Sequence, residues 1–244
     1  MEGSREFVAE LLERFESTIQ RHDILTEEVW LGQGVLQRGD VPRRLFAPDG
    51  MDLVHADDPK HEDWLGQWMK LQKWTFQQRF FRENLRLGEG GETGQDNRIL
   101  EETFDRTGTS IMGKRMFDGG ERYWPEEAPF HTPVFVLTHE VRGPWEQPGG
   151  TTFHFVNDGI ESALRRAREA AGGKDVRIAG GANTILQYLN AGLIDEFSVA
   201  LAPVFFGGGI RLFEDIDRKK VTPEIVEAIH SPLVTHLRYA VAVQ

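Results

Sequence analysis

Two adjacent glycines, Gly180 and Gly181, stand between the apolar run RIA and the helical pattern NTILQYL. A turn of that kind suits phosphate. Backbone without side chains can approach an anion closely, glycine accepts angles other residues resist, and the following helix begins with N–H groups that no preceding carbonyl satisfies. The same pair also suits tight strand-to-helix packing without a ligand, and the two residues leave both readings open. A second turn follows TSIMG, where Gly113 precedes Lys114 and Arg115. Amides at a helix start plus two cations make an anion site; solvated surface charge is the plainer alternative. A third turn follows PVFVL, where Thr138, His139 and Arg142 stand. Three strand ends carrying polar or basic loops point to a dinucleotide lying across a sheet edge.

Other chemistries find no support. The eight histidines never take the spacing H-E-x-x-H, and the chain has no cysteine, so sulfur-ligated zinc, disulfides and thiolate nucleophiles are excluded and no metal site is expected. His154, inside a strand pattern, reads as a satisfied structural group. G-x-S-x-G is absent, so there is no nucleophile elbow. GEGGETGQD, residues 88–96, reads as a flexible polar loop and matches neither G-x-G-x-x-G nor a P-loop. The acid pairs Glu101-Glu102 and Glu126-Glu127 are adjacent in sequence, which suits solvent-facing positions better than opposed catalytic ones.

Strands and helices must alternate to bring the three turns to one edge, and from residue 97 onward they do. A helix near 97–106 precedes the strand TGTSIMG; PVFVLTH and TTFHFV are further strands. DGIESALRRAREAAGG is the clearest helix, with Asp158 as its cap, Glu161 three residues on, and a buried stripe of Ile160, Ala163, Leu164 and Ala167. DVRIAG is a strand, GANTILQYLNAG a helix closed by Gly192, EFSVALAPVF a long apolar strand and THLRYAVAV the last strand. The order predicts an α/β domain with a largely parallel sheet between helical layers. Upstream the signals weaken. Residues 5–21 form an amphipathic pattern suited to packing or dimerisation, and 29–59 are broken by Gly32, Gly34, Pro42 and Pro48, with VWLGQGVL and RRLFAPDGMDLV as short strand candidates. Residues 61–86 read as helical and aromatic, serving either as core or as a lid over a substrate.

Composition narrows the partners. With 39 acidic against 28 basic residues the formal charge is -11, which disfavours attraction to nucleic acid. Acids interrupt the apolar pattern of the first fifteen residues, and no run approaches the ~20 apolar residues of a membrane span, so a cytoplasmic protein without membrane contact is the expectation.

In sequence order, IMGKRMFDGG, FHTPVFVLTHE and the long run from GGTTFHFVNDG to FFGGGIRLFE resemble the dihydrofolate reductase superfamily. More narrowly they are similar to stand-alone relatives of the RibD carboxyl-terminal domain, the reductase half of the bacterial bifunctional riboflavin deaminase-reductase. The resemblance is strong over residues 88–244 and weak over 49–87. It implies a domain at 46–244 preceded by an atypical extension at 1–45, a three-layer dihydrofolate reductase-like fold around a mostly parallel sheet, NADPH as hydride donor, and a homodimer. It further implies that Gly113, Lys114 and Arg115 lie beside the cofactor phosphates and that Thr138 and His139 lie near the adenosine ribose and its phosphate. Gly180, Gly181, Ala182 and Asn183 would lie under the pyrophosphate, with Gly207, Gly208 and Gly209 bordering the substrate side.

The chain also departs from the pattern. Relatives start with an apolar strand ending in S-L-D-G, whereas here the nearest match is Ala47-Pro48-Asp49-Gly50 behind VPRRLF, a poor central strand. Asp49 is the candidate substrate-orienting carboxylate, or else part of an ordinary Pro-Asp-Gly turn, and the segment before residue 45 is a candidate replacement strand. The deaminase signature needs cysteines this chain lacks. The expectation is an NADPH-dependent reductase acting on a C=N or C=O of a small heterocycle, pteridine- or aminopyrimidine-like, resembling 5-amino-6-(5-phosphoribosylamino)uracil reductase and dihydrofolate reductase. A catalytically silent NADP-binding relative and a protein-interaction module are the alternatives.

Overall fold

The strands TGTSIMG, PVFVL, TFHFV and DVRIAG carry apolar residues on both faces, and side chains that alternate along a strand then require cover on both sides of the sheet. The computed structural model, which describes residues 29–33, 69–121, 124, 126–205, 213 and 215–243, provides that cover. In chain order the elements are β1 (Val29–Gln33), α1 (Lys73–Phe76), α2 (Arg79–Asn84), α3 (Gln95–Arg106), β2 (Thr107–Gly113), α4 (Lys114–Glu121), β3 (Pro133–Leu137) and β4 (Trp145–Glu146). There follow β5 (Thr152–Val156), α5 (Ile160–Ala170), β6 (Asp175–Gly180), α6 (Ala182–Asn190), β7 (Glu196–Pro203), β8 (Val221–His230) and β9 (Thr235–Val243).

Five strands lie in the order β4-β5-β3-β2-β6. β2 pairs in parallel with β3 and β6, and β3 in parallel with β5; only the two-residue β4 runs antiparallel, at the edge. On one face Ile111, Val176 and Ile178 meet Ala163, Leu164 and Ala167 of α5 and Ile185, Tyr188 and Leu189 of α6. On the other, Met112, Val134, Val136 and Phe153 pack with Phe117 of α4. Sheet between helices makes three layers, and the α/β class with a mostly parallel sheet stands.

The remaining strands form a second sheet, order β1-β7-β9-β8, antiparallel throughout. Phe197, Val199 and Val241 from it join the same core cluster as Ile111 and Ile178, so the two sheets share one interior. β1 pairs with β7 from Val29↔Pro203 to Gln33↔Val199, so a strand does come from the segment before residue 45. β8 has no counterpart in the sequence reading. It is an edge strand exposed from Thr222 to Ala228, with Pro223 within it and a register shift between Ile225 and Glu227.

Three local readings change. Asp158 does not cap α5: the helix begins after Gly159, whose φ of 99° turns the chain, and Asp158 accepts instead from the Ser162 hydroxyl at 2.9 Å and from Arg166 at 2.8 Å. Residues 88–96 are not wholly loop, because Gln95 and Asp96 open α3 and Asp96 is buried. Among its described residues the aromatic stretch is not one helix, because α1 and α2 are separated at Gln77 and Gln78. Trp74 and Phe76 there are core residues, 3% and 5% exposed. The amphipathic pattern at 5–21, RRLFAPDGMDLV, and Trp64 and Trp68 lie outside the described residues.

Candidate functional site

Parallel pairing sets the carboxyl ends of β2, β3, β5 and β6 along one edge. Gly113 pairs with Leu137, Leu137 with Val156, and Met112 with Gly180. The three turns singled out in the sequence are therefore neighbours: Gly113-Lys114-Arg115, Thr138-His139, and Gly180 through Asn183. Each belongs to the edge where open α/β sheets bind ligands.

At the glycine pair, Gly180 has φ of 130°, a conformation that favours glycine, and the Gly180–Gly181 peptide is cis. Gly181 is the N-cap of α6 and brings no side-chain acceptor to the helix start; the first helical bond runs from Ile185 N–H to the Gly181 carbonyl. The N–H groups of the first turn are thus uncapped by any side chain, at a place where the backbone is bare. Ala182 is buried, whereas Asn183 is exposed and accepts from Gln187 at 2.7 Å. α5 starts in the same way, behind Gly159 and without a side-chain cap.

The second turn is built more tightly than its sequence implied. A β-carbon at Gly113 would sit 2.6 Å from Thr184 Oγ1 of α6, so the absence of a side chain there serves helix-to-strand packing. Lys114 donates to both carboxylate oxygens of Asp118, at 2.7 and 2.9 Å, and lies 3.5 Å from Glu140. The Asp118 hydrogen bond raises the Lys114 pKa above its ordinary value, so the group is cationic but engaged. Arg115 is exposed at the second position of α4.

At the third turn Thr138 is buried, with its N–H donating to the Val156 carbonyl and its Oγ1 accepting from the Glu140 N–H at 3.0 Å. His139 is exposed. Arg142 leans on an aromatic floor, its guanidinium 4.4 Å from the Phe155 ring centre and 5.3 Å from that of Phe117, and it pairs with Glu121 at 3.0 Å. The guanidinium thus joins the β3 loop to α4. His154, on β5, stacks on Phe135; burial, then Arg166, lowers its pKa. Asp49 and Gly207, Gly208 and Gly209 lie outside the described residues.

A separate cavity of about 110 Å³ opens at the opposite edge, among Thr103, Arg106, Asp175, Glu196, Glu227 and His236. Its charges answer one another: Arg106 meets Asp175 at 3.0 Å, and Arg238 meets Glu227 at 2.9 Å. Beside it His236 Nε2 donates to Asp96 Oδ1 at 3.0 Å, and burial lowers the His236 pKa. The strand ends with helix starts, bare backbone and a basic pair lie elsewhere, so this cavity is not the candidate site. Among the described residues no helix is long and apolar enough to cross a membrane, and no group of three or more side chains is placed to hold a metal.

Sequence reasoning missed Asp118, Glu140 and Thr184. Lys114 and Asp118 stand at helical i,i+4 spacing, a readable signal; the other two reach the site from separate elements.

A family model described as the RibD C-terminal domain matches residues 51–235. The protein YyaP of Bacillus subtilis (strain 168), uncharacterized by name, is 29% identical over 117 residues, covering 46% of this chain and 62% of YyaP. YwjB of the same organism, likewise uncharacterized by name, is 34% identical over 62 residues, covering 25% of this chain and 35% of YwjB. The chain thus spans less than two thirds of each of these relatives. Among solved structures, a diaminohydroxyphosphoribosylaminopyrimidine deaminase/5-amino-6-(5-phosphoribosylamino)uracil reductase from Thermotoga maritima is 14% identical. It gives a TM-score of 0.45 over 62% of this chain and 50% of that one.

Proposed function

The chain belongs to the RibD C-terminal domain family, and on that premise we propose that it is an NADPH-dependent reductase of a small heterocyclic substrate, pteridine- or aminopyrimidine-like, reduced at a C=N or C=O. The observation that carries the reading is the row of strand ends. Gly113, Thr138 and the Gly180–Gly181 pair stand at neighbouring carboxyl ends of one parallel sheet, and α6 starts there without a side-chain cap. That donor set fits a diphosphate: bare backbone for close approach, first-turn amides that the N-cap residue leaves without a side-chain acceptor, and a helix dipole of the favourable sign.

When bound, the nicotinamide supplies the hydride. The residues of the chain bind and orient. Gly180 and Gly181 keep side chains out of the path of the diphosphate, and the first amides of α6, from Ala182 and Asn183, donate to it. Thr138 and His139 border the adenosine ribose, while Lys114 and Arg115 bring positive charge to the phosphates. The buried layers beneath, from Ile111 to Ile178, fix the strand ends relative to one another, and such positioning is a large part of the catalysis available to a hydride-transfer enzyme. The reading includes a homodimer, as the sequence resemblance implies.

Titration with NADPH and NADH, followed by NADPH oxidation in the presence of aminopyrimidine and pteridine compounds, tests it. Saturable NADPH binding with turnover of one such compound is the expected result. Binding without turnover of any compound would favour a silent relative, and no nucleotide binding at all would sink the assignment of this edge.

A further inference from the structure

We propose that Glu140 is a specificity-determining residue of the cofactor side, holding Lys114 away from phosphate and so restraining the preference for NADPH over NADH. The inference rests on the nucleotide-binding reading above and concerns only this chain's residues toward that ligand.

Lys114 is the first residue beyond the end of β2, and Glu140 stands just beyond the end of the neighbouring strand β3. Their charged atoms are 3.5 Å apart, so the pair bridges the crevice between the two strand ends. Glu140 is aimed by the chain itself, because its N–H is fixed by Thr138 Oγ1 at 3.0 Å. From the other side Asp118 holds the same ammonium with both oxygens. One cation therefore faces two carboxylates, which reduces the positive charge Lys114 offers to the ligand's phosphates.

A phosphate entering that crevice meets an engaged ammonium and a carboxylate of its own sign. The two carboxylates differ in how readily they yield. Glu140 is the more exposed, at 66% against 43% for Asp118, and makes the longer contact. Glu140 is thus the one a phosphate displaces, and an exposed ion pair of this kind is weak enough to open on binding. The penalty falls on a ligand with additional negative charge between Lys114 and the Thr138–His139 turn, where the ribose reading above puts the 2'-phosphate that separates NADPH from NADH. A ribose hydroxyl in its place has no charge for Glu140 to oppose and can donate to it.

The test compares dissociation constants for NADPH, NADH and 2',5'-ADP in the unaltered protein, Glu140→Gln and Glu140→Asp, by calorimetry at low and at high salt. Glu140→Gln is expected to raise the NADPH-over-NADH affinity ratio about three- to tenfold at low salt, with the gain shrinking as salt screens the charges. Glu140→Asp keeps the charge and is expected to stay near the unaltered ratio. A purely structural effect would move both nucleotides together and leave the ratio unchanged; that result overturns the proposal while leaving the nucleotide site standing. If neither the unaltered protein nor Glu140→Gln binds any of the three, both the restraint and the nucleotide site fall.

Discussion

Gly113 at the end of β2 and Thr184 in the first turn of α6 are packed so closely that a β-carbon on the glycine would lie 2.6 Å from the threonine Oγ1. No real side chain tolerates that separation, and Thr184, buried and branched, has little room to withdraw. The contact fixes the start of α6 against the neighbouring strand end and so sets the spacing between two of the three turns.

Gly113→Ala is therefore expected to cost about 1–3 kcal/mol, the range for overpacking a filled site. Removing the obstructing atom as well, in Gly113→Ala with Thr184→Ala, should return most of the loss. Urea unfolding of the two single variants and the double variant measures the coupling, and strictly additive losses would show that this contact is not the cause.

Tyr188 bears on the same edge from below. It is fully buried in α6, and its hydroxyl donates to the Ile160 carbonyl in the first turn of α5 at 2.8 Å. Burial raises the phenol pKa, so the group remains a neutral donor. Tyr188→Phe keeps the ring and removes the hydroxyl's bond to this first-turn carbonyl, an expected loss of about 0.5–1.5 kcal/mol by thermal or urea unfolding.

His236 gives stability a pH dependence of definite sign. Burial lowers its pKa from 6.5 in the folded protein, against the opposing pull of Asp96, and its Nδ1 is buried without a hydrogen-bond partner. Protonation would place a second N–H there with nothing to receive it. Below pH 6.5 the unfolded chain takes up the proton more readily than the folded one, so this contribution is present at pH 7 and above and lost as pH falls through the folded value. Unfolding curves from pH 8 to pH 5 should show the decline, and the slope should be shallower in His236→Gln. An unchanged slope would remove His236 as the source.

Phe117 is the fully buried centre of the aromatic layer, with Trp124, Trp145, Phe153 and Phe155 between 5.1 and 6.2 Å from its ring. Phe117→Ala is expected to cost about 3–5 kcal/mol. It also removes a ring beneath Arg142, so near-ultraviolet circular dichroism from the tryptophans should weaken along with stability.

The parallel half of the fold could be read because its residues repeat one signal. TGTSIMG, PVFVL and DVRIAG are apolar on both faces, and each is followed by a polar turn and a helix or loop. The turns could be read for the same reason, since Gly180-Gly181 and Gly113-Lys114 sit where apolar periodicity changes. What surrounds them could not. Glu140 reaches Lys114 from another strand end, and Asp96 reaches His236 across a separation of 140 residues; no local pattern encodes either meeting. β8 escaped because VTPEIVEAIH, with a proline and two glutamates, buries almost nothing and so carries no burial pattern. The cap at Asp158 was misjudged because Gly159 introduces a positive φ, which a capping-box spacing does not record.

That strand has a bearing on how copies of the molecule behave in crowded solution. Among the described residues no strand pairs with the outer edge of β8, where Ile225 and Val226 are each at least half exposed, a template that would ordinarily invite lateral stacking into fibres. Pro223 offers no N–H to a newcomer, the shift beside Val226 spoils the rhythm of the remaining bonds, and Glu224 and Glu227 set like charges against an identical segment in reversed orientation. The outer flank of β8 thus carries in its own sequence three features that oppose edge-to-edge pairing.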